Sequence, residues 1–135
     1  MKKLLAVLSA ILLLLTVCSC GGNTTNAAII SVDSDIYTDE DIDAAIETAM
    51  NYFKREFSGC TLKEIRYIGD GAKGSYDGWA KQYHADSAII LLSTFEVGPS
   101  GGNGSLNPNS TYENWQWILV REANGGWKHA THGYG

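Results

Sequence analysis

The stretch that decides the fold is residues 38–57, TDEDIDAAIETAMNYFKREF. Its apolar residues recur at three- and four-residue steps, the spacing of one helix face; they are Ile42, Ile46, Ala49, Met50, Phe53 and Phe57. Thr38 and the three carboxylates after it suit a helix start, and Lys54 and Arg55 suit a helix end. Gly59 can close the last turn. The sequence therefore predicts one amphipathic helix of about five turns, at 3.6 residues each.

Four strands are predicted after this helix. They cover residues 61–68, 87–97, 112–122 and 127–134, which are rich in aliphatic and aromatic side chains. A short helix or turn at 79–84 and a long polar loop at 98–111 occupy two of the links. Because hairpin links join neighbouring strands and no second crossover helix is available, we expect an antiparallel sheet packed on one helix. The predicted fold class is α+β.

The last hairpin decides which side chains share a face of the sheet. With Gly125 and Gly126 as the turn residues, Trp117 is expected opposite Tyr134. The same register pairs Leu119 with His132 and Glu122 with His129. It places Trp115, Trp117, His132 and Tyr134 on one face, and they are the predicted ligand-binding residues of a site between sheet and helix. The many Trp and Tyr residues either fill a small core or line such a concave site.

The order of elements resembles the cystatin-like and nuclear-transport-factor-2-like α+β rolls, and in particular small bacterial lipoproteins of that shape. The residues that carry the resemblance are the helix 38–57, the exit segment 59–62 (GCTL), and the stretch from 107 to 134. The resemblance implies one long N-terminal helix on a four-stranded antiparallel sheet. It does not imply an activity, because that fold hosts isomerases, dehydratases, inhibitors and protein-binding modules.

The first twenty residues, MKKLLAVLSAILLLLTVCSC, have the pattern of an export signal. Two lysines precede an apolar run over 4–17, which is too short to span a bilayer comfortably. The end of this run resembles a bacterial lipoprotein signal, with Val17 three residues before Cys20 and the small Ser19 directly before it. The resemblance implies cleavage after Ser19 and a diacylglyceryl thioether on Cys20. Cys18 is disfavoured as the lipidated residue because the bulky Val17 would precede the cut.

This signal sets the predicted organisation and location of the chain. We expect a signal peptide over 1–19, a lipidated flexible tether over 20–35, and a single domain over 36–135. Removal of the signal leaves 8 basic against 15 acidic side chains, and the pI of about 5.0 excludes nucleic acid as a partner. The protein is therefore expected outside the cytoplasm, anchored to the cell membrane by its lipid.

The sequence contains four candidates for a reactive or ligand-binding site. Cys60, the thiol left after processing, is expected to be buried and inert rather than catalytic. His129 and His132 are three residues apart, so a regular strand would point them to opposite faces, and no metal site is predicted. The acidic residues of 33–43 lack the glycine and glutamate positions of an EF-hand loop, and the glycine-rich 98–105 lacks the end of a phosphate-binding loop. No cofactor is predicted.

The leading functional hypothesis is a non-catalytic binding or scaffold module. Only His132 and Glu96 are acid–base residues that the pattern places near the sheet, so no catalytic residue is assigned. Two alternatives stay open. One is an enzyme acting on a small apolar substrate in the cavity between helix and sheet, and the other is an inhibitor or immunity-type protein whose acidic face meets a basic partner. The expected partners are the membrane, through the lipid, and either a protein or a small apolar ligand.

Overall fold

The computed structural model describes residues 21–134. The predicted signal peptide and Cys20 lie outside the described residues. The elements follow in the order β1 (Ala28–Ile30), α1 (Asp39–Glu56), β2 (Cys60–Tyr67), α2 (Lys73–Gln82), β3 (Ser87–Val97), β4 (Thr111–Arg121) and β5 (Lys128–Gly133). A 3-10 turn, Asp70–Ala72, precedes α2, and one irregular helical turn, Gly101–Gly104, lies between β3 and β4. Among the residues described, no helix has the length and apolarity needed to cross a membrane.

The predicted long helix is present as α1. Thr38 is its N-cap: the Thr38 hydroxyl accepts a hydrogen bond from the backbone N–H of Asp41 at 3.1 Å, and the Asp41 carboxylate accepts one from the backbone N–H of Thr38 at 3.4 Å. The helix buries Ile42, Ala45, Ile46, Ala49 and Phe53 against the sheet. The periodicity of the sequence therefore identified both the helix and most of its buried face.

The sheet has five strands in the order β1-β2-β3-β4-β5 and is mixed. The α+β class is confirmed, but the four-stranded, wholly antiparallel description is wrong, because β1 pairs parallel to β2 from Ala28↔Glu64 to Ile30↔Arg66. Parallel neighbours need a crossover connection, and α1 supplies it between these two strands. A strand of three residues is too short to leave an alternating pattern in the sequence.

The segment predicted as a flexible tether, 20–35, contributes to the fold from Gly22 onward. The backbone N–H of Gly22 donates to the Lys54 carbonyl at 3.0 Å, that of Asn23 to the Cys60 carbonyl at 2.9 Å, and that of Leu62 to the Asn23 carbonyl at 2.8 Å. The open edge of β2 presents backbone groups that need partners, and this segment supplies them. The flexible-tether prediction is corrected accordingly.

The second helix lies earlier than predicted. The sequence indicated a loop at 69–74 and a short helix or turn at 79–84, whereas α2 covers Lys73–Gln82. Its buried side chains, Tyr76 and Ala80, are one turn apart and pack on the sheet side. Gly74 and Gly78 within it are unfavourable helix residues, which is why the local pattern resembled a loop.

The register of the last hairpin differs from the prediction. Trp117 pairs with His132 rather than with Tyr134, and Leu119 pairs with His129 rather than with His132. The change between these two pairs leaves Ala130 as an extra residue on β5, which is a β-bulge. Trp127, predicted to begin the strand, precedes it.

Trp127 is taken out of the strand by contacts with the start of α1. Its indole Nε1–H donates to the Asp41 carbonyl at 3.0 Å, and the Arg121 guanidinium lies 4.2 Å from its ring centroid. Arg121 also pairs with the Asp41 carboxylate at 2.8 Å, and this hydrogen bond is the main reason that the pKa of Asp41 is lowered. These contacts fix where the hairpin turn ends and where β5 can begin.

A glycine pair tests whether residues 21–23 belong to the folded domain. A Cβ at Gly22 would lie 2.4 Å from the Phe53 carbonyl oxygen, whereas a Cβ at Gly78, inside α2, would meet nothing within 4 Å. Gly22→Ala should destabilise the protein by about 1–3 kcal/mol. Gly78→Ala should stabilise it by about 0.5–1 kcal/mol. Urea unfolding of the two variants measures both changes, and an unchanged Gly22→Ala midpoint would show that this segment is not packed.

Candidate functional site

A cleft opens at the C-terminal end of α1, between that helix, the β4–β5 hairpin and the loop that follows β3. Its volume is about 360 Å³, which is at the small end of the range for ligand pockets. It is lined by Tyr52, Glu56, Phe57, Gly102, Ser105, Leu106, Trp115 and His132. We call it the histidine cleft.

The two histidines of β5 lie on the same face of the sheet. His132 Nδ1 is 2.9 Å from His129 Nε2, a hydrogen-bonding distance. The prediction that they point to opposite faces is wrong because the bulge at Ala130 adds one residue between their pairing positions and reverses the alternation. Among the described residues, no group of three or more side chains is arranged to hold a metal ion.

Burial keeps this histidine pair neutral. It lowers the pKa of His129 to about 4, with smaller contributions from His132 and from the positive charge of Arg55. Burial also lowers the pKa of His132. At neutral pH one ring nitrogen of the pair therefore donates a proton to the other, which accepts it, whereas two imidazolium rings would place two donors against each other.

Tyr52 joins this pair to the helix. Its ring stacks on His129, with centroids 3.7 Å apart and planes 11° apart, and it lies 5.5 Å from the His132 centroid. The Arg55 guanidinium is 5.9 Å from the Tyr52 centroid on its own helix. The aromatic side chains of α1 and β5 thus form one continuous wall.

The four residues predicted to bind a ligand fall into three different environments. Trp115 and His132 line the cleft, with ring centroids 5.7 Å apart and planes 28° apart. Trp117 is 1% exposed and belongs to the core. Tyr134 is 61% exposed and lies beside Trp115, at 5.4 Å between centroids, outside the lining of the cleft. Two of the four are therefore brought together at the site.

The two tryptophans differ in their hydrogen bonding. The Trp117 Nε1–H donates to the Ser93 hydroxyl at 2.8 Å, and that hydroxyl donates to the Trp115 carbonyl at 3.3 Å. Trp115 Nε1 is buried, and within the described residues it has no hydrogen-bond partner. A buried donor without an acceptor costs free energy. This N–H group is therefore a buried, uncompensated donor on a residue that lines the cleft.

The loop after β3 forms the outer wall of the cleft. Gly102 and Asn103 adopt left-handed backbone conformations, with φ of 54° and 63°. A Cβ at Gly102 would lie 3.0 Å from Leu106 Cδ1, so the backbone approaches that side chain closely. The backbone N–H of Leu106 donates to the Gly101 carbonyl at 2.9 Å. The loop predicted as long and polar is therefore folded on itself rather than extended.

Sequence reasoning missed the helix side of the cleft. Tyr52 and Glu56 continue the stripe of Ala45 and Ala49 at four-, three- and four-residue steps. The two alanines are small and buried, so Tyr52 is the first large side chain of this stripe. This spacing was the available signal, but it does not show that the sheet leaves a space opposite the last turn.

Two other candidate residues lie elsewhere. Cys60 is 1% exposed, and burial raises the pKa of its thiol, in keeping with the predicted buried cysteine. Glu96 is exposed near the end of β3 and does not line the cleft. Neither residue contributes chemistry to the site.

Comparisons with protein-family models, with curated proteins and with solved structures found no match for this chain. The geometry of the histidine cleft and the N-terminal sequence are therefore the features that indicate a function.

Substitutions of two predicted site residues test the division between core and site. Trp117→Ala should lower the free energy of unfolding by about 3–5 kcal/mol, because it empties a packed core position. Tyr134→Ala, at an exposed position, should change it by less than about 0.5 kcal/mol. Chemical denaturation followed by circular dichroism measures both. A small effect of Trp117→Ala would place that residue outside the core.

Proposed function

We propose that the protein is a lipid-anchored, extracytoplasmic binding module that holds a small, planar, amphipathic molecule in the histidine cleft. The observation that carries the proposal is the lining of the cleft, where aromatic rings from the helix and the sheet surround a space of about 360 Å³. Aromatic side chains provide a large contact area at little cost in conformational entropy. A flat ring in this space would contact Tyr52, Phe57 and Trp115.

Polar groups in the cleft indicate which functional group the ligand carries. Glu56 is an exposed carboxylate at the cleft, and an ionised carboxylate is an acceptor only. The histidine pair is neutral at neutral pH, so no imidazolium charge offsets that of Glu56. A ligand with an amine on an aromatic or apolar body therefore fits better than a carboxylic acid.

Catalysis is the second candidate, and one observation favours it. His132 lines the cleft as a neutral imidazole, and a neutral imidazole can act as a general base. Binding is the better-supported proposal because the facing nitrogens of His129 and His132 are occupied with each other at 2.9 Å. Recovery of a bound ligand unchanged after long incubation would favour the binding module, and its conversion would favour the enzyme.

Binding is tested with phenethylamine as the probe and phenylacetate as its matched acid. Ligand-observed NMR should show phenethylamine binding more tightly than phenylacetate. Glu56→Gln should weaken phenethylamine binding about two- to fivefold, because an ion pair at an exposed carboxylate contributes about 0.5–1 kcal/mol. Glu96→Gln, at an exposed carboxylate outside the cleft, should leave binding unchanged. Equal effects of the two substitutions would contradict the assignment of Glu56.

Anchoring is tested separately from ligand binding. The proposal is supported by Val17, Ser19 and Cys20, which match the lipoprotein signal pattern. In bacteria given a labelled fatty acid, the protein should take up label and fractionate with membranes. Cys20→Ala should abolish labelling and leave an unprocessed precursor, since the acyl acceptor is gone, while Cys18→Ala should still be labelled. Continued labelling of the Cys20→Ala protein would move the lipid to Cys18.

A further inference from the structure

We propose that the domain lies with the C-terminal end of α1 against the membrane, so that Lys54 and Arg55 face anionic lipid headgroups and the histidine cleft lies beside the lipid surface. This rests on the lipid anchor at Cys20 in the proposed function. It goes beyond that function because an anchor alone leaves the orientation of the domain free.

The first step of the argument is that the chain next to Cys20 is built into the domain. Gly22 donates to the Lys54 carbonyl at 3.0 Å, and Asn23 forms a parallel bridge with Thr61. A Cβ at Gly21 would lie 2.3 Å from the Lys54 carbonyl oxygen, so the backbone is close to the helix there as well. Residues 21–23 are therefore part of the packed structure rather than a spacer.

The second step is that the lipid would be attached close to the end of α1. Cys20 is the residue directly before Gly21 in the sequence. Since Gly21 and Gly22 contact the last turn of α1, the lipid would be attached next to that turn. The end of the helix would consequently be close to the lipid attachment point.

The third step is the charge distribution along α1. The last turn exposes Lys54 and Arg55 together with one carboxylate, Glu56, whereas the exposed charged residues near the start, Asp39, Glu40 and Asp43, are all acidic. The helix has 18 residues and is therefore about 27 Å long, at 1.5 Å per residue. An anionic lipid surface attracts basic groups within about a Debye length and repels acidic ones. The two ends of the domain thus differ in their interaction with such a surface.

An orientation with the edge of β1 against the membrane is less favourable than the end-on orientation, in which the C-terminal end of α1 faces the membrane. That edge exposes Ile29 and Ile30 beside a groove of about 400 Å³ along α1. Asp43, Glu47 and, at one end, Lys54 also line the groove, and the two carboxylates would be pressed against anionic headgroups if this side faced the membrane. The end-on orientation keeps both carboxylates away from the lipid.

The orientation determines how a ligand reaches the cleft. Glu56 and Phe57, at the end of α1, line the histidine cleft, so its opening lies at the end of the domain that carries the anchor. An amphipathic amine that partitions into the headgroup region would therefore be concentrated at the opening. The membrane surface would then supply the proposed class of ligand to the cleft.

The experiment uses the acylated protein in vesicles of phosphatidylglycerol and phosphatidylethanolamine that carry a nitroxide quencher on the headgroup. A fluorophore is attached at Asn107→Cys, in the loop at the anchor end, or at Glu40→Cys, near the start of α1; both positions are exposed. Cys60 is buried and is replaced by serine in both variants. Quenching should be several-fold stronger at position 107 than at position 40, because the two sites are separated by roughly the length of α1.

Two controls separate the contributions of attachment and charge. A flexible Gly-Ser insertion between Cys20 and Gly21 should reduce the difference in quenching while the protein stays on the vesicles. Lys54→Glu with Arg55→Glu should also reduce it, and Lys73→Glu at the far end should not. Equal quenching at both sites in protein that floats with the vesicles would overturn the orientation alone. Failure of the acylated protein to float would overturn the anchor and the orientation together.

Discussion

The structure depends on the burial of the apolar stripe of α1 against a curved sheet. Phe53 is fully buried, and its ring lies 5.0 Å from that of Phe57, 5.7 Å from that of Phe95 and 6.3 Å from that of Trp117. β-bulges bend a strand locally and let a sheet curve around a helix. Register shifts occur in the β2–β3, β3–β4 and β4–β5 pairs, so each of these strand pairs departs from regular pairing.

The same curvature produces the candidate site. α1 ends at Glu56, and the cleft opens there between the last turn of the helix and the face of β4 and β5 that carries Trp115 and His132. The bulge at Ala130 adds His129 to the face that already holds His132. Burial among aromatic rings then lowers the pKa of both histidines. The geometry that closes the core therefore also forms the cleft.

The sequence predicts an element well when a long pattern encodes it and poorly when the pattern is short or absent. Caps and periodicity suffice for α1. The second predicted strand, 87–97, has the same bounds as β3. The hairpin register was wrong by two residues at Trp117, and an even shift preserves which residues share a face, so Trp115 and His132 still meet. The bulge then makes the shift odd beyond Ile118, and no local pattern signals it. Tyr52 and Glu56 depend on a long-range fit that a single sequence does not contain.

The segment after Cys20 shows why composition alone misled. Two glycines followed by polar residues are typical of a flexible linker. Here the lack of a side chain lets the backbone approach α1 closely. The last carbonyls of a helix have no partner within it, and the N–H of Gly22 binds one of them. A Cβ at either glycine would collide with a carbonyl oxygen of Phe53 or Lys54. The glycines thus bring the chain onto the helix end instead of freeing it from the domain. A linker and a close backbone contact have the same sequence signature, and only the partner across the contact distinguishes them.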